Sequence, residues 1–177
     1  MTADSRIIAF YRAEAPDHRG RYLREIHSWP DDQLEAVHDY IQWLFPLSEP
    51  SAFNVSAPVL SPANIDHFRS DPQLQRNLRA SFFRMLEFFG FEMSLSGPVE
   101  VKRRRDFSAK SGRWLTEGNH NHLRITRVLK SLSILGLLLE AKAFLACLSE
   151  IYEEECLKPD SAISTETMLY WTRAVSD

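Results

Sequence analysis

The stretch Asn119-His120-Asn121-His122-Leu123-Arg124-Ile125-Thr126-Arg127-Val128-Leu129-Lys130-Ser131-Leu132-Ser133-Ile134-Leu135-Gly136 decides the fold class. Ile125, Val128, Leu129, Leu132 and Leu135 recur at intervals of three and four, which puts them on one stripe of a helix from Asn119 to Leu135. Gly136 follows as a natural helix stop. Arg124, Arg127 and Lys130 fall at three-residue spacing and are expected on a face turned away from the stripe. The polar run Asn119 to His122 is expected to cap free amides at the helix start, and that same start, helped by Arg124, could bind an anion.

Helical periodicity continues on both sides. Leu138 to Cys156 carries Ala141, Phe144, Leu145, Leu148, Ile151 and Tyr152 on one face. Ser164 is placed to cap a last helix with Met168, Leu169, Trp171 and Val175. Upstream, Ser61-Pro62 and Asp71-Pro72 repeat the pattern of a capping side chain followed by proline in the first turn. The second of these opens a helix with Leu74, Leu78, Phe82, Met85 and Phe89 in line, stopped by Gly90. Short helices are expected at Arg6 to Arg12 and Arg21 to Trp29. Another is expected from Asp31 or Asp32 to Phe45, with Leu34, Val37, Ile41, Leu44 and Phe45 on its stripe. Tyr40 and Trp43 make the second half of that helix apolar nearly all round, so it should be buried on more than one side. Gln42 stands among them. A buried amide needs a partner, so Gln42 either locks a helix–helix contact, the preferred reading, or faces a pocket. Pro46 to Leu60 reads as coil, and Val99 with Val101 suggests a short strand. The expectation is an all-α, single domain over residues 1–177, an irregular bundle of about six to eight helices.

Composition excludes several classes. With 177 residues, 44% hydrophobic and 25% charged, the chain is neither disordered nor a disulfide scaffold. A net charge of -3 argues against a globally basic nucleic-acid binder. Charge is nonetheless segregated. Residues 99–136 hold nine Lys+Arg against three Asp+Glu, while the flanking segments are acidic. Lys102, Arg103, Arg104, Arg105, Lys110 and Arg113 form the loop part of this basic segment, with Phe107 and Trp114 among them as aromatics that could stack on bases. The competing and preferred reading is a solvated face, neutralised by Glu150, Glu153, Glu154 and Glu155 of the following helix.

No catalytic constellation is indicated. The six histidines lack metal-ligand spacing, and His120 and His122 fall on different faces of a helix. His38 and His122 read as capping or core-edge residues. Ser131 and Ser133 sit within a helix, not on a nucleophile elbow. No glycine-rich phosphate loop occurs. Cys147 and Cys156 are nine residues apart on one helix, about 13 Å along its axis, too far for a disulfide. Reduced thiols, no signal peptide and no apolar run near 20 residues point to a cytoplasmic chain, or a nuclear one in a eukaryote, with no membrane role. No cofactor, no metal and no enzyme activity are expected.

Two strings then become informative: Tyr40-Ile41-Gln42-Trp43-Leu44-Phe45-Pro46-Leu47, and Asn121-His122-Leu123-Arg124-Ile125-Thr126-Arg127-Val128-Leu129-Lys130-Ser131-Leu132 followed by Leu135-Gly136-Leu137. Together they resemble the conserved N-terminal region of the opioid growth factor receptor family, and the order of elements agrees from the first helix to Tyr170-Trp171. The resemblance implies a module of a receptor family whose animal members are described as perinuclear and nuclear receptors for an enkephalin pentapeptide. Those members continue into long C-terminal extensions, whereas this chain resembles short stand-alone members; the family supplies no catalytic residues. Both strings also make sense as architecture, one helix docking on the other through Gln42, Trp43 and the Leu123 to Leu135 stripe. The expected function is a non-enzymatic binding module for a peptide or protein partner, using Tyr40, Gln42, Trp43, Asn121, His122, Arg124, Arg127 and Lys130. The alternative is nucleic-acid or other polyanion binding through residues 102–130.

Overall fold

A computed structural model describes residues 3–51 and 54–176. Among them are ten helices and one two-stranded sheet, so the chain is mostly helical but not purely so. The helices are α1 (Ala3–Tyr11), α2 (Leu23–His27), α3 (Asp31–Ala36), α4 (Ile41–Leu44), α5 (Pro62–Ser70), α6 (Pro72–Phe89), α7 (Phe107–Ser111), α8 (Asn121–Ile134), α9 (Leu138–Glu155) and α10 (Thr165–Ser176). The strands are β1 (Phe91–Ser94) and β2 (Glu100–Arg103). The chain divides into two compact units, Met1–Arg84 and Met85–Asp177.

In the first unit, sequence signals and structure agree best at α5 and α6. Ser61 Oγ accepts from the Asn64 amide at 3.2 Å, and Asn64 returns a bond to Ser61 N, closing a capping box ahead of Pro62. The expected helix from Asp31 to Phe45 is the main departure. It breaks after Ala36, where Val37 is extended at φ -94°, ψ 132°, and resumes only for the single turn of α4. The break has a cause. It presents the Asp39 carboxylate to Arg21 Nη1 at 2.8 Å, Arg19 Nε at 3.1 Å and His18 Nε2 at 3.3 Å. The expectation of burial held, since every residue from Tyr40 to Pro46 is buried. Edge-to-face aromatic contacts fill this core, with Phe10 against Trp43 at 5.2 Å and Tyr11 against Phe68 at 4.8 Å.

His27 carries a pH dependence. Its Nε2 lies 2.9 Å from Ser81 Oγ, and burial, then the charge of Arg84, push its pKa from 6.5 down to about 4. The unfolded chain takes up this proton near pH 6.5 and the folded chain only near pH 4. The contribution is therefore complete above pH 6.5 and is lost as pH falls toward 4, by at most about 3 kcal/mol. Urea midpoints should fall between pH 7 and 4.5, and His27→Gln should flatten that fall. An unchanged slope in the variant would remove His27 as the source.

In the second unit, β1 and β2 pair antiparallel, Phe91 opposite Arg103 and Met93 opposite Val101. The strand near Val101 was legible; its partner was not. Gly90 takes φ +92° between α6 and β1, so it serves as helix stop and strand entry at once. The three helices α8, α9 and α10 pack on one another, and β2 packs on α9. Gly136, at φ +96°, turns α8 into α9 as expected. Thr167 N donates to Ser164 Oγ at 3.0 Å, so Ser164 caps α10. Leu169, expected on the α10 stripe, is 46% exposed instead.

Candidate functional site

The start of α8 is a hydrogen-bonded clamp. Asn121 Nδ2 donates to Arg113 O at 2.9 Å, and His122 Nε2 lies 2.8 Å from Trp114 O. A carbonyl can only accept, so His122 carries its proton on Nε2. Arg124 Nη1 donates to Asn121 Oδ1 at 3.2 Å, which fixes the amide's orientation. The indole N–H groups continue the network. Trp114 Nε1 donates to Phe89 O at 2.9 Å, and Trp171 Nε1 donates to His122 O at 3.1 Å. Burial lowers the His122 pKa; the Trp114 carbonyl partly opposes this and His120 adds to it. The capping expected of this run is present in part, since Asn119 Oδ1 accepts from Asn121 N at 2.9 Å.

This network corrects two expectations. Arg124 is not on an exposed face but 5% exposed, bonded to Asn121. Leu123, expected in the apolar stripe, is 61% exposed. The inversion follows from the clamp: aiming Asn121 and His122 at the 113–114 loop turns Arg124 inward beside them and Leu123 outward. Arg127 and Lys130 are half-buried and interact with other groups of the chain.

The basic segment is largely occupied by its own neighbours. Arg103 pairs through Nη1 with Glu154 Oε2 at 2.9 Å, and this hydrogen bond holds the Glu154 carboxyl below its usual range. Arg104 Nε meets Asp106 at 3.0 Å, Lys102 meets Glu100 at 2.9 Å, and Lys110 Nζ donates to Glu87 O at 2.8 Å. Arg105 is exposed and Arg113 half-buried. Trp114 is fully buried against Phe89, Phe91 and His122, so it presents no face for a base to stack on. Neutralisation by the acidic helix is thus seen at Glu154. Glu155 is buried and serves a different purpose, accepting from Ala162 N at 3.2 Å.

Tyr40, Gln42 and Trp43 lie in the first unit and are all buried. Tyr40 donates to Leu34 O at 3.2 Å. Gln42 Oε1 and Trp43 Nε1 are buried and have no hydrogen-bond partner among the described residues, so Gln42 locks no contact with them through that oxygen. The His18 ring stacks on Trp43, with centroids 6.0 Å apart and planes 9° off parallel. His18 also lines an open cleft of about 440 Å³ with Arg19, Asp39, Asn54, Val55 and Ser56. Burial alone would raise the Asp39 carboxyl, but bonds and charge from Arg21, Arg19 and His18 more than offset it and hold it below its usual range. None of these cleft residues stood out in the sequence. The available signal was the turn Asp17-His18-Arg19-Gly20-Arg21, where Gly20 takes φ +83° and Asp17 accepts from the Arg19 and Arg21 amides.

Burial pushes the Cys147 thiol up to about 11, and Cys156 is free and exposed. Among the described residues, no three His, Cys, Asp or Glu side chains stand where they could hold a metal ion, and no helix is long and apolar enough to cross a membrane.

Comparison with known proteins agrees with the two strings. The family model described as the opioid growth factor receptor (OGFr) conserved region matches residues 2–177. The chain is 38% identical over 160 residues to the opioid growth factor receptor of Homo sapiens, covering 87% of this chain and 22% of that protein. It is 38% identical over 134 residues to the Rattus norvegicus receptor, covering 73% of this chain and 23% of that protein. It is 37% identical over 140 residues to opioid growth factor receptor-like protein 1 of Mus musculus, covering 73% and 28%. The chain therefore spans only about a quarter of the length of these relatives. No solved structure matches. With the family model matching almost end to end and the human relative 38% identical, the chain belongs to the opioid growth factor receptor conserved-region family.

Proposed function

We propose that residues 2–177 form a non-enzymatic module that binds a peptide or protein partner, as the names of its relatives suggest of receptors. One observation carries this reading. Within the first string, Trp43 Nε1 is buried without a hydrogen-bond partner among the described residues, and the Trp43 ring stacks on His18, which lines the open cleft. Leaving such a group unpaired costs about 1–3 kcal/mol, a cost that a partner whose binding opens the His18 stack can remove. The buried residues Tyr40, Asn121, His122 and Arg124 shape the two units, and Arg127 with Lys130 are candidate contacts at the surface of α8.

Panning the full chain against a displayed random-peptide library tests this. The expected result is convergent peptides that bind saturably and lose affinity with Trp43→Phe, which keeps the ring body and removes the N–H. No enrichment over an unrelated helical protein would overturn the reading. Saturable, steeply salt-dependent binding of oligonucleotides in place of peptides would favour residues 102–130 instead.

A further inference from the structure

We propose that the cleft between the Asp17–Arg21 turn and the Asn54–Ser56 loop is a carboxylate-binding site, anchored by Arg19. The inference rests on the peptide-or-protein reading above and gives it a contact chemistry. Arg19 is held at both ends of its side chain. Its backbone N–H donates to Asp17 Oδ1 at 2.8 Å and its Nε donates to Asp39 Oδ2 at 3.1 Å. That tether spends one donor of the guanidinium and leaves both terminal nitrogens without a partner among the described residues, on a side chain 67% exposed at the cleft. A guanidinium fork fixed in this way matches the two oxygens of a carboxylate.

The surroundings favour an anion with an organic body. Asp39 would repel a carboxylate if its charge were bare, but it accepts from Arg19 and Arg21 and lies 3.3 Å from His18 Nε2. Arg6 adds a further cation, 5.9 Å over the Trp43 ring. Counting Arg6, Arg19 and Arg21 against Asp17 and Asp39, the neighbourhood is net positive with His18 neutral. Ser56 also lines the cleft. Val55, 98% exposed on the rim, supplies apolar surface that an inorganic anion would not use, and the His18 ring of the cleft wall is backed by Trp43. The volume of about 440 Å³ suits an amino-acid-sized group. Such a carboxylate comes from a peptide C-terminus or from an acidic side chain.

Nuclear magnetic resonance titration of the full chain separates these sources. The probes are N-acetyl-leucine for a C-terminus, N-acetyl-aspartic acid amide for a side chain, and N-acetyl-leucinamide as the uncharged control. The expected result is saturable shifts of the Trp43 indole N–H, the Val55 methyls and the Arg19 Nε–H with at least one acid. The amide should bind at least ten-fold more weakly. Whichever acid binds more tightly identifies the source. Arg19→Gln and Arg19→Lys should each weaken the acid at least ten-fold, because lysine keeps the charge but lacks the fork. Arg24→Gln, an exposed position in α2, should change nothing. Equal affinity for acid and amide, an unaltered Arg19→Lys variant, or silence at these residues would overturn the site. If the cleft is silent while library peptides bind elsewhere, this inference falls and the module reading stands; if no peptide binds anywhere, both fall.

Discussion

Trp171→Ala is expected to destabilise the second unit by about 3–5 kcal/mol, the range for removing a fully buried tryptophan. The side chain has no exposed surface, stands edge-on to His122 with centroids 5.6 Å apart, and donates to the His122 carbonyl. It ties α10 to the first turn of α8, so the lost volume lies where two of the three packed helices meet. Trp171→Phe should cost less, about 1–2 kcal/mol, for two reasons. The ring body remains, and the His122 carbonyl keeps its bond from Thr126 Oγ1 at 2.9 Å. Urea denaturation followed by circular dichroism measures both. A loss below 1 kcal/mol for the alanine variant would mean that α10 does not depend on this contact.

Asp17→Ala should be comparably severe in the first unit, about 3–5 kcal/mol. The carboxylate is fully buried. It accepts from two backbone amides and binds Arg21 Nε at 2.7 Å, while Arg21 reaches Asp39 through Nη1. Its removal leaves a guanidinium that is only 14% exposed with Asp39 alone as carboxylate partner among the described residues, and strands both amides. Asp17→Asn keeps an acceptor for the amides and loses only the charge, so its cost should be roughly half. Adding Arg21→Met to Asp17→Ala should recover part of the loss, because the penalty belongs to the uncompensated charge and not to the missing pair. Additive losses in the double variant would contradict that account.

The parts of this fold that were legible are those set by local rules. The α8 stripe, the Ser61-Pro62 start, the Gly90 and Gly136 stops and the Ser164 cap all depend on residues within four positions of one another. What escaped was set at longer range. The α3–α4 break answers to His18, Arg19 and Arg21, some twenty residues away, and overrides an unbroken helical pattern. Strand β1 lies just past the Gly90 stop, in a stretch whose local pattern marks no element, and is set by its pairing with β2, Glu92 opposite Lys102. Arg124 looked exposed because basic residues usually are; it is buried because Asn121 beside it bonds to a loop eight residues upstream. The candidate cleft was illegible for the same reason. Its members come from the 17–21 turn, the α3–α4 break and the loop near Asn54, and only Trp43, stacked on His18, belongs to a recognisable string.

The Asn121-His122 start of the second string is spent inside the fold, clamping the Arg113–Trp114 loop. The direct measurement is the nitrogen-15 resonance pattern of the His122 ring across a pH series. The clamp predicts a proton on Nε2 when the ring is neutral, and a titration midpoint below the ordinary histidine value because the ring is buried. A neutral ring protonated on Nδ1, or one titrating like an exposed histidine, would show that His122 is free of the Trp114 carbonyl and would contradict the account.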